Sequence, residues 1–459
     1  MSATTPQELA ERALALSRAD DCVVLVEASA HANLRWASNT LTTNGDTRSV
    51  DVTVISFLGA SGGSAAGSVS RQGHDMEGLV RASEVAAREA GPAEDAAPLL
   101  AGGASADFAE PPEATSGAAF ASFAPALGER MRAAAADGVE WFGYAEHEVD
   151  TLYLASSTGL RLRHAQPQAR IEITAKSHQR TRSTWVGAGG RSVDTADLGA
   201  MDADLRTRLG WQARRIDVAP GRHSTILPPS ALADLMVYLF WSAGARDAFE
   251  GRTVFSRQGG GTRIGETLSE RALRLFSDPA YPGLECEPFA AAAASGGASS
   301  VFDNGLPLGA VDWLHDGRLA ALLQSRHSAH LTGLPVTAPT SNLVLTDRAG
   351  SADLEDIVAA THQGLLLTCL WYIREVDPQS LLLTGLTRDG VYLVQGGEVV
   401  GATTNFRFND SPVGILGRLA EVGATIPTIP REWADNFLRA AMPPVRVDDF
   451  NMSTVSQAF

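Results

Sequence analysis

Apolar positions along the first half of the chain recur with two different periods. Spacing close to the 3.6-residue period of a helix, as at Leu9, Ala13 and Leu16, predicts helices at residues 6–19, 74–90, 118–136 and 201–215. Alternation of apolar and polar residues predicts strands between these helices, including a hairpin that turns at Thr158 and Gly159. A stretch rich in glycine and serine at 60–70 predicts turns. This order of helix, strands and helix is typical of an α+β layer.

The pattern changes between Val218 and Thr225, after which short apolar runs alternate with glycine- and proline-containing turns. We therefore predict an N-terminal α/β-layer domain at 1–217, with an exposed connector at about 91–117, and a C-terminal β-rich domain at 218–459. The C-terminal domain is expected to be mostly antiparallel, with a few helices, one of them at 415–422. The predicted fold class is α+β.

One C-terminal segment is too apolar for the surface. From Leu235 to Trp241 it carries neither a charge nor a small polar side chain. A surface helix would show a polar face within seven residues. The segment therefore predicts a buried helix.

Composition limits the classes of function. A chain of 459 residues is long enough for two or three domains. Its net charge of −16, from 53 acidic and 37 basic residues, argues against nucleic-acid binding, and the arginine-rich strip 206–215 is interpreted as a solvated helix face. Three widely spaced cysteines argue against a disulfide framework and favour a reducing compartment. Because we find no signal-peptide pattern and no membrane-spanning run, we expect a cytoplasmic protein that contacts no membrane.

Candidate catalytic groups are sparse. No phosphate-binding loop or nucleophile elbow is present, and Cys369, among aliphatic and aromatic neighbours, is expected to be a buried structural cysteine. His147 and Glu148 lead into strands and lack a second histidine at ligand spacing. His327 and His330 could share a metal ion only with a further ligand, such as an acid. This leaves a self-sufficient metallo-hydrolase with unusual ligands as an alternative function.

A second cluster favours peptide binding. Aromatic and cationic residues recur near the ends of predicted strands, and such side chains can line a groove that holds an extended peptide by strand addition. We predict a substrate-binding role for Trp371, Arg374, Asn405, Phe406 and Arg407. The alternative is that these are strand ends with paired surface charges.

Several C-terminal motifs together resemble the TldD/PmbA family. They are VFDNGLPL, HDGRLAALLQSRHSA, TGLTRDGVYLVQGGEVVGATTNFRFN and the ending MPPVRVDDFNMS, and the resemblance extends from about Glu8 to Ser453. It implies one of two kinds of subunit. The TldD kind is similar to a zinc metallopeptidase with HExxxH on a buried helix and a C-terminal cysteine ligand. The PmbA/TldE kind lacks these ligands and pairs with a TldD subunit to process peptides.

The apolar segment stands where the resemblance would place HExxxH. Aligned on the TVFS that follows, the six motif positions fall on Met236–Trp241, which read Met-Val-Tyr-Leu-Phe-Trp. No histidine occurs between His223 and His315, and no cysteine occurs after Gly423. The resemblance therefore implies a TldE-like chain without catalytic residues, metal ligands or a cofactor of its own, with zinc in a TldD-like partner and a peptide as substrate.

Two other expectations accompany this hypothesis. Alone, such a chain could form a homodimer, because a shared interface can close on itself. A non-enzymatic protein-binding regulator also stays open, since the resemblance includes proteins described as modulators of DNA gyrase.

Overall fold

The N-terminal half is built on one antiparallel sheet. The structure, a computed structural model, describes residues 4–60, 63–73 and 75–456. The sheet has the order β3-β2-β1-β4-β5-β6. Its strands are β1 (Asp21–Ala37), β2 (Thr40–Ala60), β3 (Gly63–Gln72), β4 (Val139–Ser156), β5 (Arg161–Ser177) and β6 (Arg182–Gly190).

Helices cover one face of this sheet. They are α1 (Pro6–Leu16), α2 (Met76–Ala90), α3 (Phe123–Ala136) and α4 (Leu198–Trp211), with short 3-10 turns at Gly117–Phe120 and Val193–Thr195. Even-numbered residues of β1 face the helices: Val24 packs with α1 and α2, and Leu34 packs with α3 and α4. Because strand side chains alternate, the odd-numbered residues face the other way, toward the C-terminal half.

The C-terminal half contains two further sheets. One has the order β10-β9-β8-β11-β20-β19, and the other follows β13-β14-β17-β21-β7-β12-β15-β16, with β18 also paired to β21. Two of the pairings, β11 with β20 and β7 with β12, are parallel and the others are antiparallel. The strands are β7 (Gly221–Leu227), β8 (Leu273–Ser277), β9 (Val311–His315), β10 (Arg318–Leu319), β11 (Asn342–Asp347), β12 (Gln363–Leu367), β13 (Leu370–Asp377), β14 (Leu382–Thr387), β15 (Val391–Gln395), β16 (Glu398–Ala402), β17 (Phe406–Asp410), β18 (Leu419–Val422), β19 (Ile426–Thr428), β20 (Arg439–Met442) and β21 (Val445–Val455).

Short helices connect these strands. They are α5 (Pro229–Trp241), α6 (Ala245–Phe249), α7 (Arg326–Thr332), α8 (Leu354–Ala359) and α9 (Pro412–Gly417), with a 3-10 turn at Val301–Asp303. Helix α5 lies in the largest apolar cluster of the chain, between strands of both C-terminal sheets. The predicted α+β class is confirmed. No helix among the described residues is long and apolar enough to cross a membrane.

Two local predictions were wrong. The turns predicted at 60–70 are wrong for residues 63–70, which belong to strand β3, and Gly67 in this strand serves packing: a Cβ on it would lie 2.0 Å from the backbone nitrogen of Ala87 in α2. Residues 61, 62 and 74, which fall within the turn and helix predictions, lie outside the described residues. The helix predicted at 415–422 ends at Gly417, because residues 419–422 pair with β21 instead.

Candidate functional site

Helix α5 carries the six positions of interest in its last two turns. Met236 and Val237 are fully buried, Leu239 and Phe240 nearly so, and only Trp241 is substantially exposed, at 41%. Thioether, aliphatic and aromatic side chains supply none of the imidazole, thiolate or carboxylate ligands that zinc requires. These positions do not fit a zinc ion, and they stabilise the core by apolar packing.

Asp234 is the one charged residue of α5, and sequence reasoning missed it. Its side chain is fully buried, and burial raises the pKa of this carboxyl well above its ordinary value. Asp234 Oδ1 accepts a hydrogen bond from the backbone N–H of Glu432 at 2.9 Å, and the Asp234 carbonyl accepts one from Trp433 Nε1 at 2.8 Å. These bonds attach the segment that follows Pro430 to the buried helix.

A large cavity lies between the two halves of the chain, and we call it the chamber. It has a volume of about 950 Å³. One wall is the helix-free face of the N-terminal sheet, including Glu27 and Asp150, and the rest of the lining includes residues 287, 289–294, 338–341 and 434–439. Phe240 and Trp241 bring the end of α5 into the lining. The helix that stands in the motif position therefore ends at the chamber.

One segment of the chamber wall, residues 289–293, presents unpaired main chain; we call it the alanine edge. Its inner side is paired: the N–H of Ala290 donates to Leu306 O at 2.8 Å, and the N–H of Ala292 donates to Asn304 Oδ1 at 2.6 Å. Within the described part of the chain, the N–H groups of Ala291 and Ala293 donate no hydrogen bond. Phe289 forms an isolated antiparallel bridge with Pro307, and the alternation of paired and unpaired N–H groups that follows is similar to that of an edge strand, a type of segment that can bind an extended peptide through its main chain.

The predicted groove residues lie outside the chamber, on or next to β13 and β17, the two strands that flank β14. Trp371 on β13 is in register with Leu386 on β14, which is in register with Arg407 on β17. Arg407 Nη1 donates to Thr384 Oγ1 at 3.1 Å, and Thr384 is also the β14 neighbour of Arg374. The sheet thus brings Trp371, Arg374 and Arg407 to one region, and their role in binding peptide stays a prediction.

Phe406 and Asn405 lie differently. Phe406 is fully buried within the core, so the expectation that its side chain lines a groove is wrong: as the first residue of β17 it points inward by strand alternation. Asn405 Oδ1 accepts a hydrogen bond from the buried Thr387 Oγ1 at 3.3 Å, which directs that end of its side chain toward the sheet.

Trp241 connects this region with the chamber. A cleft of about 400 Å³ is lined by Tyr238, Trp241, Ser242, Ile373, Arg374, Glu375 and Trp433. Trp241 therefore lines both the cleft and the chamber.

Other candidate groups lie apart from the chamber. His327 on α7 has Nε2 3.9 Å from Glu94, and His330 lies in the last turn of the same helix. The side chains of Cys22, Cys286 and Cys369 are free thiols buried at separate places, and burial raises the pKa of Cys22 to about 11 and of Cys286 to about 12. Across residues 4–60, 63–73 and 75–456, no three His, Cys, Asp or Glu side chains are arranged so that they could hold one metal ion.

Comparison with known proteins agrees with this architecture. Residues 220–454 match the family described as the PmbA/TldA metallopeptidase C-terminal domain. The chain belongs to the PmbA/TldD family. No curated protein sequence matches it.

Solved structures of similar proteins extend the likeness to nearly the whole chain. TldE from Thermococcus kodakarensis has a TM-score of 0.77 at 14% identity, covering 97% of this chain and 99% of that one. A proposed modulator of a DNA gyrase from Thermotoga maritima MSB8 gives 0.76 at 15% identity, with 97% and 99% covered. A similar protein from Bacteroides thetaiotaomicron VPI-5482 gives 0.72 at 13%, with 97% and 98% covered. At these identities the likeness shows the PmbA/TldD fold.

Proposed function

We propose that this PmbA/TldD-family chain is the peptide-binding, non-metal subunit of a TldD/TldE-type zinc metallopeptidase complex. The observation that carries the proposal is the alanine edge, which lines a chamber of about 950 Å³ and contains two main-chain N–H groups, those of Ala291 and Ala293, that donate no hydrogen bond within the described residues. Main-chain pairing gives affinity without demanding a particular sequence. Trp241 at the chamber and Trp371 with Arg374 and Arg407 outside it extend the proposed peptide path.

Hydrolysis in the proposed complex belongs to the zinc centre of a TldD-like partner. Met236–Trp241 supply no ligand for that metal, and Asp234 on the same helix is engaged in holding residues 432 and 433. This chain's contribution is to complete the peptide-binding space.

Reconstitution tests the division of roles. The purified chain is expected to bind no stoichiometric zinc and to cleave no peptide, while mixing it with an HExxxH-bearing family member yields peptidase activity above that of either chain alone. Stoichiometric zinc together with peptidase activity in this chain alone would refute the proposal. In that case loss of activity on His327→Ala would favour the self-sufficient hydrolase.

Backbone-methylated peptides test the alanine edge. A fluorescent nonapeptide is methylated on alternate amide nitrogens in either of two registers. Only every second amide N–H of an extended peptide points toward the strand with which the peptide pairs. Methylation in one register should therefore abolish binding to the alanine edge, and methylation in the other should leave binding nearly unchanged. Equal effects of the two registers would show that the peptide does not pair with an edge.

A further inference from the structure

The N-terminal wall of the chamber carries more negative charge than the chain neutralises. Glu27, Asp51, Glu148 and Asp150 all line it. Glu27 on β1 is directly opposite Asp51 on β2, and Glu148 and Asp150 are two residues apart on β4, the other neighbour of β1. Residues two apart on a strand, and residues opposite each other on neighbouring strands, share one face of a sheet.

The other carboxylates of the lining have basic partners. Arg326 Nε lies 2.6 Å from Asp303 Oδ1, Arg35 Nη2 lies 3.3 Å from Glu146 Oε1, and Arg170 pairs with Asp435. In contrast, the four wall carboxylates form no ion pair with any described residue. Glu148 and Asp51 accept only uncharged donors, Gln168 Nε2 at 2.9 Å and Gln72 Nε2 at 3.4 Å. Burial raises the pKa of Asp150 by more than the charge of Arg439, which also lines the chamber, lowers it. Desolvation in the wall raises the pKa of Glu27, and the neighbouring carboxylates raise it further.

An unpartnered hydroxyl on the opposite wall independently indicates a ligand. Thr340 lines the chamber and is only 3% exposed, and its Oγ1 has no hydrogen-bond partner among the described residues. Asp150 Oδ1 in the acidic wall is likewise buried without a partner. Because a buried polar group without a partner is costly, polar atoms of this kind are expected to pair with a bound molecule.

The spacing of the acids indicates what charge they would meet. As no three described carboxylates are close enough to hold one metal ion, the wall suits several separate cations rather than a single divalent one. An extended peptide presents every second side chain to the same side. Held at the alanine edge, it would offer one row of side chains to the acidic wall.

Building on the proposed function, we propose that the chamber selects extended peptides that carry lysine or arginine side chains facing Glu27, Asp51, Glu148 and Asp150. The main chain of such a peptide pairs with the alanine edge, and its cationic side chains neutralise the opposite wall.

Matched peptides and matched variants test this selection. The probes are fluorescent nonapeptides with Lys, Gln or Glu at alternate positions, titrated by anisotropy with the full-length chain at 0.15 M salt. The chamber variant is Glu27→Gln with Glu148→Gln. The control, Glu89→Gln with Glu398→Gln, removes the same charge from exposed positions outside the chamber.

The Lys peptide should bind the unaltered chain about tenfold more tightly than the Gln peptide, and the Glu peptide should bind most weakly. The chamber variant should remove most of the Lys preference while the Gln peptide keeps its Kd, and the control variant should change neither. If the Lys and Gln peptides bind equally, charge selection is refuted while peptide binding stands. If both double variants weaken the Lys peptide equally, the preference reflects overall charge and the chamber assignment is refuted. If no peptide binds, the proposed function itself fails.

Discussion

Asp234→Asn gives a quantitative test of how the buried helix holds the chamber wall. The carboxamide oxygen can still accept the N–H of Glu432, but the side chain no longer titrates. Burial raises the folded-state pKa of Asp234 well above the value of about 3.9 expected in the unfolded chain. Between these two pKa values the folded chain holds one proton more than the unfolded chain.

The sign and size of the effect follow from this proton. When the folded state binds more protons, its stability falls as pH rises, here by about 1.4 kcal/mol per pH unit for one group. The stability that neutral Asp234 provides is thus fully present below about pH 4 and is lost progressively toward its raised pKa. The asparagine variant lacks this loss. If the N–H of the new carboxamide, near Arg431, finds no acceptor, the free energy of unfolding of the variant falls by about 1–3 kcal/mol at every pH, and the slope against pH stays the same.

Urea unfolding followed by tryptophan fluorescence at pH 5, 6, 7 and 8 measures the difference. The free energy of unfolding of the variant should rise relative to the unaltered chain by about 1.4 kcal/mol per pH unit until the raised pKa is passed. Glu89→Gln, at an exposed position, should show no such divergence. Parallel curves for Asp234→Asn and the unaltered chain would refute the assignment of a buried protonated carboxyl.

Three further outcomes are expected from packing and burial. Gly143→Ala should lower the free energy of unfolding by about 3 kcal/mol in urea titrations, because the new Cβ would lie 2.0 Å from Glu172 O. Gly45→Ala, where a new Cβ meets nothing within 4 Å, should lower it by less than about 1 kcal/mol. Equal losses from the two variants would contradict this explanation. All three cysteines should resist a thiol reagent at pH 8 in the native chain and react in urea, and rapid labelling of any one before unfolding would show that its burial is wrong. Arg431→Ala should lower the free energy of unfolding by about 3 kcal/mol, since the carboxylate of Asp389, 3.5 Å away and only 11% exposed, loses a charged partner. Arg407→Ala, at an exposed position, should lower it by less than about 1 kcal/mol. Similar losses from the two variants would contradict this prediction.

Sequence patterns predicted those parts of the molecule that depend on local periodicity. The helix predicted from residue 6 is α1, which begins at Pro6 as predicted; the structure adds a capping box between Thr5 and Glu8. The apolar run at 235–241 predicted a buried helix, because no arrangement of those side chains gives a polar face. The strand at 63–72 was missed, since Gly67 reflects close contact with α2, which only the fold reveals.

The candidate site depended on contacts between distant segments. Phe406 was predicted as a groove residue because its neighbours are polar and cationic, but alternation along β17 turns it into the core. The acidic wall could have been suspected from EASAH and EHEVD, where carboxylates occur on two strands that pair. The register was needed to show that Glu27 lies opposite Asp51 and that Asp150 lies opposite Ser29, two residues along the same strand. A lone acid within a helix as apolar as α5 was the available signal for Asp234.

The alanine edge has a consequence for how mutations would be tolerated in this chain. The groups through which it is proposed to bind peptide are main-chain N–H and C=O, which nineteen residue types share, whereas proline lacks the N–H. Replacing Ala291 or Ala293 with serine or another small residue changes none of them, so evolutionary drift through this stretch would leave its chemistry intact. An alanine-rich segment of low sequence complexity can thus keep the proposed role in peptide binding even where comparison of side chains between relatives shows no conservation.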